Sequence, residues 1–248
     1  MAGTLIITGS SRGIGAATAR LAAARGWAVG VNYVGQREAA ETVVAGIEAQ
    51  GGRAIAVQAD NSVPEDVQRL FETVESELGP VTGLVNNAGV PGRISRVDEL
   101  PLDELQRTLQ VNVVGAFLCA QAFVRRASTA HGGRGGVMVN VSSMAAKTGS
   151  PGELVHYAAA KAAVEAFSYG LAAEVAKEGI RVNAVSLGLF DTDIHAAAGD
   201  AGRVQRYAAR MPMGRPGQPM EAARAIAWLL SDEASYVTGA TLPVAGGR

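Results

Sequence analysis

Two groups of residues that lie close together in the chain could carry out proton transfer. Tyr157 and Lys161 are four positions apart in an Ala-rich segment, and a helix there places both side chains on one face. A neighbouring ammonium favours the phenolate and lowers a tyrosine pKa from about 10, as a general acid or base requires. Ser143 ends an apolar run that begins at Val137, and its hydroxyl can act opposite the phenol. Because such Tyr/Lys pairs also occur on solvated helix faces, this interpretation depends on the rest of the chain.

A glycine-rich segment near the start of the chain is typical of a turn that binds phosphate. It lies between a short apolar strand predicted at 4–8 and an Ala-rich helix predicted at 13–25. Gly9, Gly13 and Gly15 permit positive φ and close backbone approach where a helix N-terminus presents free N–H groups. The segment predicts a pyrophosphate cradle, although a βα turn without a ligand can have the same composition.

Strands and helices alternate along the whole chain. Further strands are predicted at 28–33, 54–58, 81–85, 137–141, 180–185 and 240–244, and further helices at 38–49, 64–78, 103–126, 157–177 and 221–230. This order predicts an α/β fold in which a parallel sheet has helices on both faces and binds ligands at the carboxyl ends of its strands. We expect a single domain over 1–248, with the weakly periodic segment 187–213 acting as a substrate lid.

Polar residues follow several predicted strands. Asp60 follows the third strand, and the turn Asn87-Ala88-Gly89 follows the fourth. Asn112 interrupts an apolar part of the helix 103–126 and must find hydrogen-bond partners if it is buried. It either ties two elements together or opens the helix to hold a water that relays protons from Lys161.

Composition and charge narrow the classes of partner. The net charge is −1 with acids and bases interspersed, so we expect a small-molecule partner and neither nucleic acid nor a membrane. The single cysteine, Cys119, fits a cytoplasmic protein, and we expect no signal peptide or membrane span. No metal site is expected, because the three histidines, His131, His156 and His195, share no ligand spacing.

The motifs, taken in order, resemble those of the short-chain dehydrogenase/reductase family. They are Thr8-Gly9-x3-Gly13-Ile14-Gly15, Asn86-Asn87-Ala88-Gly89, Asn112, Ser143 and Tyr157-x3-Lys161, and they extend over nearly the whole chain. The resemblance implies a Rossmann-type, doubly wound, three-layer α/β/α domain with a seven-stranded parallel sheet. It also implies a catalytic tetrad of Asn112, Ser143, Tyr157 and Lys161. Cofactor contacts are implied for Gly9, Ser11, Arg12, Gly13, Ile14, Gly15, Asn32, Tyr33, Asp60, Asn61, Asn87, Ala88, Gly89, Tyr157, Lys161, Gly188 and Thr192.

The chain departs from the family pattern at two places near this site. Ser186-Leu187-Gly188 stands where the family usually has a Pro-Gly turn beside the nicotinamide. The loop between Ser143 and Tyr157 has one extra residue, which leaves Ser142 as an alternative catalytic serine.

The resemblance implies a reversible carbonyl/alcohol oxidoreductase, and the residues favour NADP(H) as its cofactor, with NAD(H) possible. The second strand ends without the acidic residue that binds the ribose 2′-hydroxyl in NAD enzymes, and Arg12 and Arg37 can pair with a 2′-phosphate. A 3-oxoacyl carrier-protein reductase is an alternative, for which Arg134 is favourable and the acidic Glu178 is not. A catalytically silent cofactor-binding module is the second alternative.

We also expect a homotetramer. The family resemblance implies this assembly, and small residues on the predicted helix 157–177 permit close packing of helices. These small residues are Ala158, Ala159, Ala160, Ala162 and Ala163.

Overall fold

A seven-stranded parallel sheet lies at the centre of the computed structural model, which describes residues 3–192, 199–200, 202–209 and 211–248. The strands are β1 (Thr4–Ile7), β2 (Ala28–Tyr33), β3 (Arg53–Gln58), β4 (Val81–Asn86), β5 (Gly136–Ser143), β6 (Ile180–Leu187) and β7 (Thr241–Val244). Their order across the sheet is β3-β2-β1-β4-β5-β6-β7, and every neighbouring pair is parallel. The predicted fold class is confirmed.

Helices connect the strands and cover both faces of the sheet. They are α1 (Gly13–Ala24), α2 (Arg37–Glu48), α3 (Pro64–Leu78), α4 (Leu102–Leu109), α5 (Gly115–Ala127), α6 (Ala145–Thr148), α7 (Val155–Val175), α8 (Arg203–Ala208) and α9 (Pro219–Leu229). Most of these bounds lie within a few residues of the predicted ones. The short helices α6 and α8 were not predicted.

Two apolar cores lie on opposite faces of the sheet. On one face, the odd-numbered residues of β5 pack with α1, α2 and α9; on the other, Met138 packs with α3, α5 and the end of α7. The strands are apolar on both faces because each face is covered, as parallel sheets require. β2 and β3 lie on one side of β1, and β4 to β7 lie on the other, so the order of the strands reverses between β1 and β4. Ligands bind at such a point in sheets of this kind.

A π-helical segment, Gln110–Val114, interrupts the helix that was predicted at 103–126. The whole stretch Leu102–Ala127 is long and apolar enough to cross a membrane by length and composition, which departs from our sequence expectation. Its second half, however, places the fully buried Cys119 and Phe123 against the sheet. The second half of the stretch, α5, therefore packs as a core helix of this fold.

The segment predicted as a lid begins at the end of β6. It contains α8, and Leu189, Val204 and Met211 form a small apolar cluster of their own with Tyr207 packed against it. Residues 193–198, 201 and 210 of this segment, with His195 among them, lie outside the described residues.

Candidate active site

A cavity of about 770 Å³ opens at the carboxyl ends of the strands, and most of the predicted site residues line it. Those that line it are Gly9, Ser11, Arg12, Gly13, Ile14, Gly15, Tyr33, Asp60, Asn61, Asn87, Ala88, Gly89, Ser143, Tyr157, Lys161, Gly188 and Thr192. Asn32 and Asn112 are buried behind its wall.

The Ser143 hydroxyl lies close enough to Tyr157 to act on the pKa of its phenol. Burial raises the pKa of Tyr157 to about 12, and the Ser143 hydroxyl acts in the opposite direction. Our expectation that Lys161 would lower this pKa is therefore wrong for this structure, because desolvation of the phenolate outweighs any nearby charge. The phenol is protonated at neutral pH and is ready to act as an acid.

Lys161 lies beneath the tyrosine ring and is almost fully buried. Its Nζ is 5.6 Å from the centre of the Tyr157 ring and donates a hydrogen bond of 2.8 Å to the carbonyl oxygen of Val141. Burial lowers the pKa of Lys161 to about 8. The ammonium is thus anchored to the end of β5, the strand that also carries Ser143.

The two serines at the end of β5 have different surroundings. The Ser142 hydroxyl lies 3.1 Å from the carbonyl oxygen of Lys161 and 2.9 Å from Oε1 of Glu165, both on α7. Successive strand residues point to opposite faces, so Ser143 turns the other way and meets Tyr157. Its Oγ also accepts a hydrogen bond from the amide of Ala145. The geometry favours Ser143 over Ser142 as the partner of the phenol.

Asn112 lies in the π segment, and three of the four hydrogen-bonding positions of its side chain are used. Nδ2 donates to the carbonyl oxygens of Val90 and Thr108, both at 2.8 Å, and Oδ1 accepts from the amide of Val90 at 3.2 Å. Oδ1 and the Lys161 ammonium also face one small space: a Cβ on Gly89 would stand 2.6 Å and 3.2 Å from them. Asn112 therefore ties two elements together, which is one of the two roles considered from the sequence, and it borders a space beside Lys161.

The glycine-rich loop and the Asn87-Ala88-Gly89 turn are locked together. Gly9 has φ +61°, and a Cβ there would lie 3.0 Å from the backbone of Ala88. A Cβ on Gly15 would lie 2.6 Å from Nδ2 of Asn87. The Thr8 hydroxyl accepts from the amides of Asn87 and Ala88, both at 3.0 Å. Only residues without side chains allow this approach, and the free N–H groups of α1 then face the cavity.

Asn32 supports the loop from behind instead of lining the cavity. Its Oδ1 accepts from the amide of Gly9 at 3.0 Å, and its Nδ2 donates to the carbonyl oxygen of Ala59 at 2.9 Å. The side chain is buried in these contacts, so a direct cofactor contact from it is not supported. Tyr33, the next residue, does line the cavity.

Asp60 and Asn61 lie beside the π segment. The Asp60 carboxylate accepts hydrogen bonds from the amide and hydroxyl of Ser62, at 2.9 Å and 2.6 Å. Asn61 donates from Nδ2 to the carbonyl oxygen of Val111 at 3.2 Å. These bonds fix both residues at the cavity wall, where the family resemblance implies cofactor contacts.

The two candidate phosphate-binding arginines differ. Arg12 is exposed and lines the cavity, as Tyr33 does. Arg37 is an exposed residue at the start of α2 that does not line the cavity and forms an ion pair of 2.8 Å with Glu41. The arrangement favours Arg12, and not Arg37, as the candidate for binding a 2′-phosphate.

His156 and Thr108 form a buried pair that sequence reasoning did not find. His156 bonds to the backbone of Pro91, whereas its Nε2 and the Thr108 Oγ1 are buried with no hydrogen-bond partner among the described residues. Burial lowers the pKa of His156. Both atoms face Gly92, where a Cβ would lie 2.6 Å and 2.7 Å from them. His156 precedes Tyr157 in the chain, but only the fold shows that it meets this loop.

Within the described part of the chain, no group of three or more His, Cys, Asp or Glu side chains could hold a metal ion.

Comparisons with known proteins agree with this geometry. A family model described as enoyl-(acyl carrier protein) reductase matches residues 9–248. The chain is 46% identical over 243 residues to an oxidoreductase of Escherichia coli K12 named YgfF, with 98% of each chain covered. It is 39% identical over 243 residues to a 3-oxoacyl-[acyl-carrier-protein] reductase of Synechocystis, which covers 98% of this chain and 95% of the relative.

A similar solved structure contains a nucleotide. It is a blue fluorescent protein from a metagenomic library in complex with NADPH, which superposes with a TM-score of 0.90 at 34% identity. The match covers 99% of this chain and 97% of that one.

Proposed function

Because the chain belongs to the short-chain dehydrogenase/reductase family of oxidoreductases that act on carbonyl or alcohol groups, we propose that it interconverts a carbonyl compound and a secondary alcohol with NADP(H). The observation that carries this proposal is the placement of Tyr157 and Ser143 in one cavity, with the buried Lys161 beneath the tyrosine ring and the glycine cradle in the same cavity. The substrate is a small molecule.

In the reductive direction, Tyr157 gives its proton to the carbonyl oxygen. Ser143 holds that oxygen with a second hydrogen bond, which strengthens as negative charge develops on it. A bound nicotinamide supplies the hydride. The phenolate then regains a proton through Lys161, with a water in the space that Lys161 and Asn112 share beside Gly89. In the oxidative direction, Tyr157 takes up the proton of the alcohol.

The residues present fit a dinucleotide. The three glycines at the start of α1 clear room for a pyrophosphate, and the N–H groups of that helix neutralise part of its charge. Asp60 and Asn61 would hold the adenine, and Ala88 and Gly89 would back the adenosine ribose. Thr192, with Gly188, would hold the carboxamide. Leu187 stands where the family usually has proline. The Gly188 amide that follows it donates to the carbonyl oxygen of Val244 at 3.0 Å, which ties the end of β6 to β7.

A preference for NADP(H) rests on the adenosine end of the cavity. β2 ends in Asn32-Tyr33 and carries no carboxylate that would repel a 2′-phosphate. Arg12 lines this end, and a guanidinium pairs with phosphate through two charge-assisted hydrogen bonds. The similar protein with bound NADPH supports the same preference.

Replacing Tyr157 with Phe tests the proposal directly. The variant keeps the ring and its packing, so NADPH binding measured by fluorescence should persist, whereas ketone reduction should fall to background. Ser143→Ala should also lose most of its turnover, and Ser142→Ala serves as the matched control with a smaller loss. Turnover retained in Tyr157→Phe would remove this residue from the mechanism, and a reversed order of the serines would reassign the site to Ser142.

A 3-oxoacyl carrier-protein reductase is the alternative that the Synechocystis relative favours. Glu178 accepts a hydrogen bond from the Ser128 hydroxyl. Its negative charge would still repel an acidic carrier protein that binds near Arg134. Reduction of an acetoacetyl carrier protein far more efficiently than of small ketones would favour this alternative. Tight cofactor binding without turnover of any ketone would instead favour a silent binding module.

The proposal also concerns the oligomeric state of the protein, its cellular location and its substrate lid. We expect a homotetramer in which the exposed Ala159 and Ala162 on α7 allow close approach, whereas Ala158 and Ala160 pack inside the protomer. Buried Cys119 fits a cytoplasmic enzyme that needs no disulfide. The segment 187–213 is proposed to cover the substrate.

A further inference from the structure

The loop that follows β4 forms part of the cavity wall and is held on one side by the π segment. Gly89, Val90 and Pro91 of this loop line the cavity. The amide of Val90 donates to Oδ1 of Asn112 at 3.2 Å, and the carbonyl oxygen of Val90 accepts from Nδ2 of Asn112 at 2.8 Å. Both backbone groups of one loop residue are thus bonded to one side chain. A shift of the loop therefore displaces Asn112 or breaks these hydrogen bonds.

His156 and Thr108 are buried and contact the same loop at Gly92. Gly92 has φ +72°, and a Cβ there would lie 2.6 Å from Nε2 of His156 and 2.7 Å from Oγ1 of Thr108. A Cα–H bond of the glycine points in the direction of that Cβ, so it makes a weak attractive contact with the two electronegative atoms. Thr108 lies on α4 and His156 on α7. One glycine of the loop therefore packs against both helices.

Thr108 joins the contact at Gly92 to the contact at Val90. Its carbonyl oxygen accepts from Nδ2 of Asn112 at 2.8 Å, and its hydroxyl oxygen faces Gly92. Val90, which is bonded to Asn112, lies two residues before Gly92 in the chain. A displacement of Gly92 would therefore reach Asn112 by two short routes, one through Thr108 and one through Val90.

The space beside Gly89 depends on the position of Asn112. A Cβ on Gly89 would stand 2.6 Å from Oδ1 of Asn112 and 3.2 Å from Nζ of Lys161, so these two polar atoms border one space. The proposed function places a water of the proton relay there. Proton transfer through a water requires its partners at hydrogen-bond distance, so a displacement of Asn112 would slow this step.

Stability does not explain the two polar atoms that face Gly92. Nε2 of His156 and Oγ1 of Thr108 have no hydrogen-bond partner among the described residues, and the two side chains are only 4% and 0% exposed. Buried polar atoms without partners destabilise a fold, and apolar side chains of similar shape would avoid this penalty. A role in the reaction gives these two atoms a reason to be present.

We propose that His156 and Thr108 are positioning residues: they hold Gly92 between α4 and α7 and thereby keep Asn112 in place for the proton relay. This inference rests on the proposed function and extends it to two residues that the tetrad does not include. Neither residue lines the cavity, so both act through the loop and not on the substrate.

Two variants of Thr108 separate positioning from stability. The assay uses saturating NADPH and whichever of 2-heptanone, acetophenone and ethyl acetoacetate the wild type reduces fastest. Thr108→Val keeps the shape and removes the unpaired hydroxyl, so its urea midpoint should be no lower than that of the wild type, whereas kcat should fall by about 10-fold. Thr108→Ser keeps the hydroxyl and loses a buried methyl group, so its urea midpoint should fall while kcat stays close to the wild-type value.

Ile226→Val on α9 is the control for lost stability. Ile226 is fully buried in the apolar core, so this variant should have a lower urea midpoint and a wild-type kcat. If kcat follows the urea midpoint across Thr108→Val, Thr108→Ser and Ile226→Val, the role of Thr108 is structural and the proposal is overturned.

A double-mutant cycle tests whether the two residues act through Asn112. In the Asn112→Ala background, Thr108→Val and His156→Leu should each leave the rate of ketone reduction nearly unchanged, because the residue that they position is already absent. If each substitution lowers the rate in that background by the same factor as in the wild type, they act independently of Asn112 and the proposal is wrong.

Hydrogen exchange of the Val90 amide gives a readout that needs neither turnover nor a folded Asn112→Ala variant. This amide donates to Asn112 in the ligand-free protein. In Thr108→Val and His156→Leu it should exchange about 10-fold faster relative to the amides of β5, whereas Thr108→Ser and Ile226→Val should keep the wild-type ratio. Wild-type protection of this amide in both Thr108→Val and His156→Leu would overturn the proposal.

The outcomes separate this inference from the proposed function. If the wild type reduces ketones but the expected pattern of kcat and exchange does not appear, the positioning role is wrong and the proposed function stands. If the wild type binds NADPH and reduces no ketone, the proposed function is refuted. The exchange of the Val90 amide would then still decide whether His156 and Thr108 hold the loop.

Discussion

Replacing Gly89 with alanine is a sharp test of how Asn112 and Lys161 are arranged. Gly89 does not have a positive φ, so the backbone accepts alanine and only the added methyl group matters. That methyl would stand 2.6 Å from Oδ1 of Asn112, a distance that real Cβ atoms essentially never show, and 3.2 Å from Nζ of Lys161. One of the two side chains must move.

The size of the effect follows from the contacts that resist this movement. Asn112 is held by three hydrogen bonds to Val90 and Thr108. Losing one of them leaves a buried polar group unsatisfied, so the free energy of unfolding should fall by about 1–3 kcal/mol. The methyl group also fills the space proposed for the relay water and displaces Lys161, and misplacement of this order can lower kcat by about 100-fold.

The assay combines urea unfolding with steady-state ketone reduction, and NADPH affinity is measured separately to detect any block of the ribose. Gly46→Ala on α2 is the matched control, because the nearest atom to its new Cβ is Nε of Arg20 at 3.8 Å. That variant should be stabilised by about 0.5–1 kcal/mol through helix propensity, with unchanged kcat. Wild-type stability and turnover in Gly89→Ala would refute the arrangement described for Asn112.

Three further predictions concern the cofactor, pH and assembly. Arg12→Ala should weaken NADPH binding by about 10-fold or more and NADH binding much less. Arg37→Ala is the control and should change the binding of neither cofactor. Equal losses for both cofactors would contradict the role of Arg12 in binding the 2′-phosphate. The folded-state pKa of His156 lies below its ordinary value of 6.5, so its contribution to stability is full above that pH and is lost as pH falls through the folded value. His156→Gln should therefore flatten this part of the wild-type profile of unfolding free energy against pH, and an unchanged profile would show that other groups cause it. Light scattering at micromolar concentration should give the mass of a tetramer, and a stable monomer would end that proposal.

The sheet was predictable because its signals are local. Each strand is a short apolar run between turn residues, and the alternation with helices leaves a parallel order as the natural arrangement. The glycine cradle was equally predictable from the sequence. Gly9 and Gly15 are required by close contacts within their own motif and with the turn that follows β4. Tyr157 and Lys161 share a helix, so their spacing alone placed them together.

What the sequence could not give depends on contacts between distant segments. Two such contacts are the hydrogen bond between Glu153 and Tyr207 and the approach of His156 and Thr108 to Gly92. Both depend on how loops pack, which the periodicity of the sequence does not indicate. The direction of the Tyr157 pKa shift was misjudged for the same reason. Spacing shows that Lys161 is near, but only the fold shows that the surroundings of the phenol raise its pKa by desolvation.

The π segment Gln110–Val114 has a consequence for the tolerance of this chain to deletions. A π turn amounts to one extra residue inserted into an α-helix, and the helices before and after it keep their register. Deleting one residue within 110–114 should therefore yield a regular helix that still turns Cys119 and Phe123 toward the sheet. The same deletion elsewhere in α5, N-terminal to those residues, would rotate them by about 100° and expose part of the core. The π segment that holds Asn112 is thus one residue longer than an ordinary helix, and we expect that one residue can be deleted there without loss of the fold.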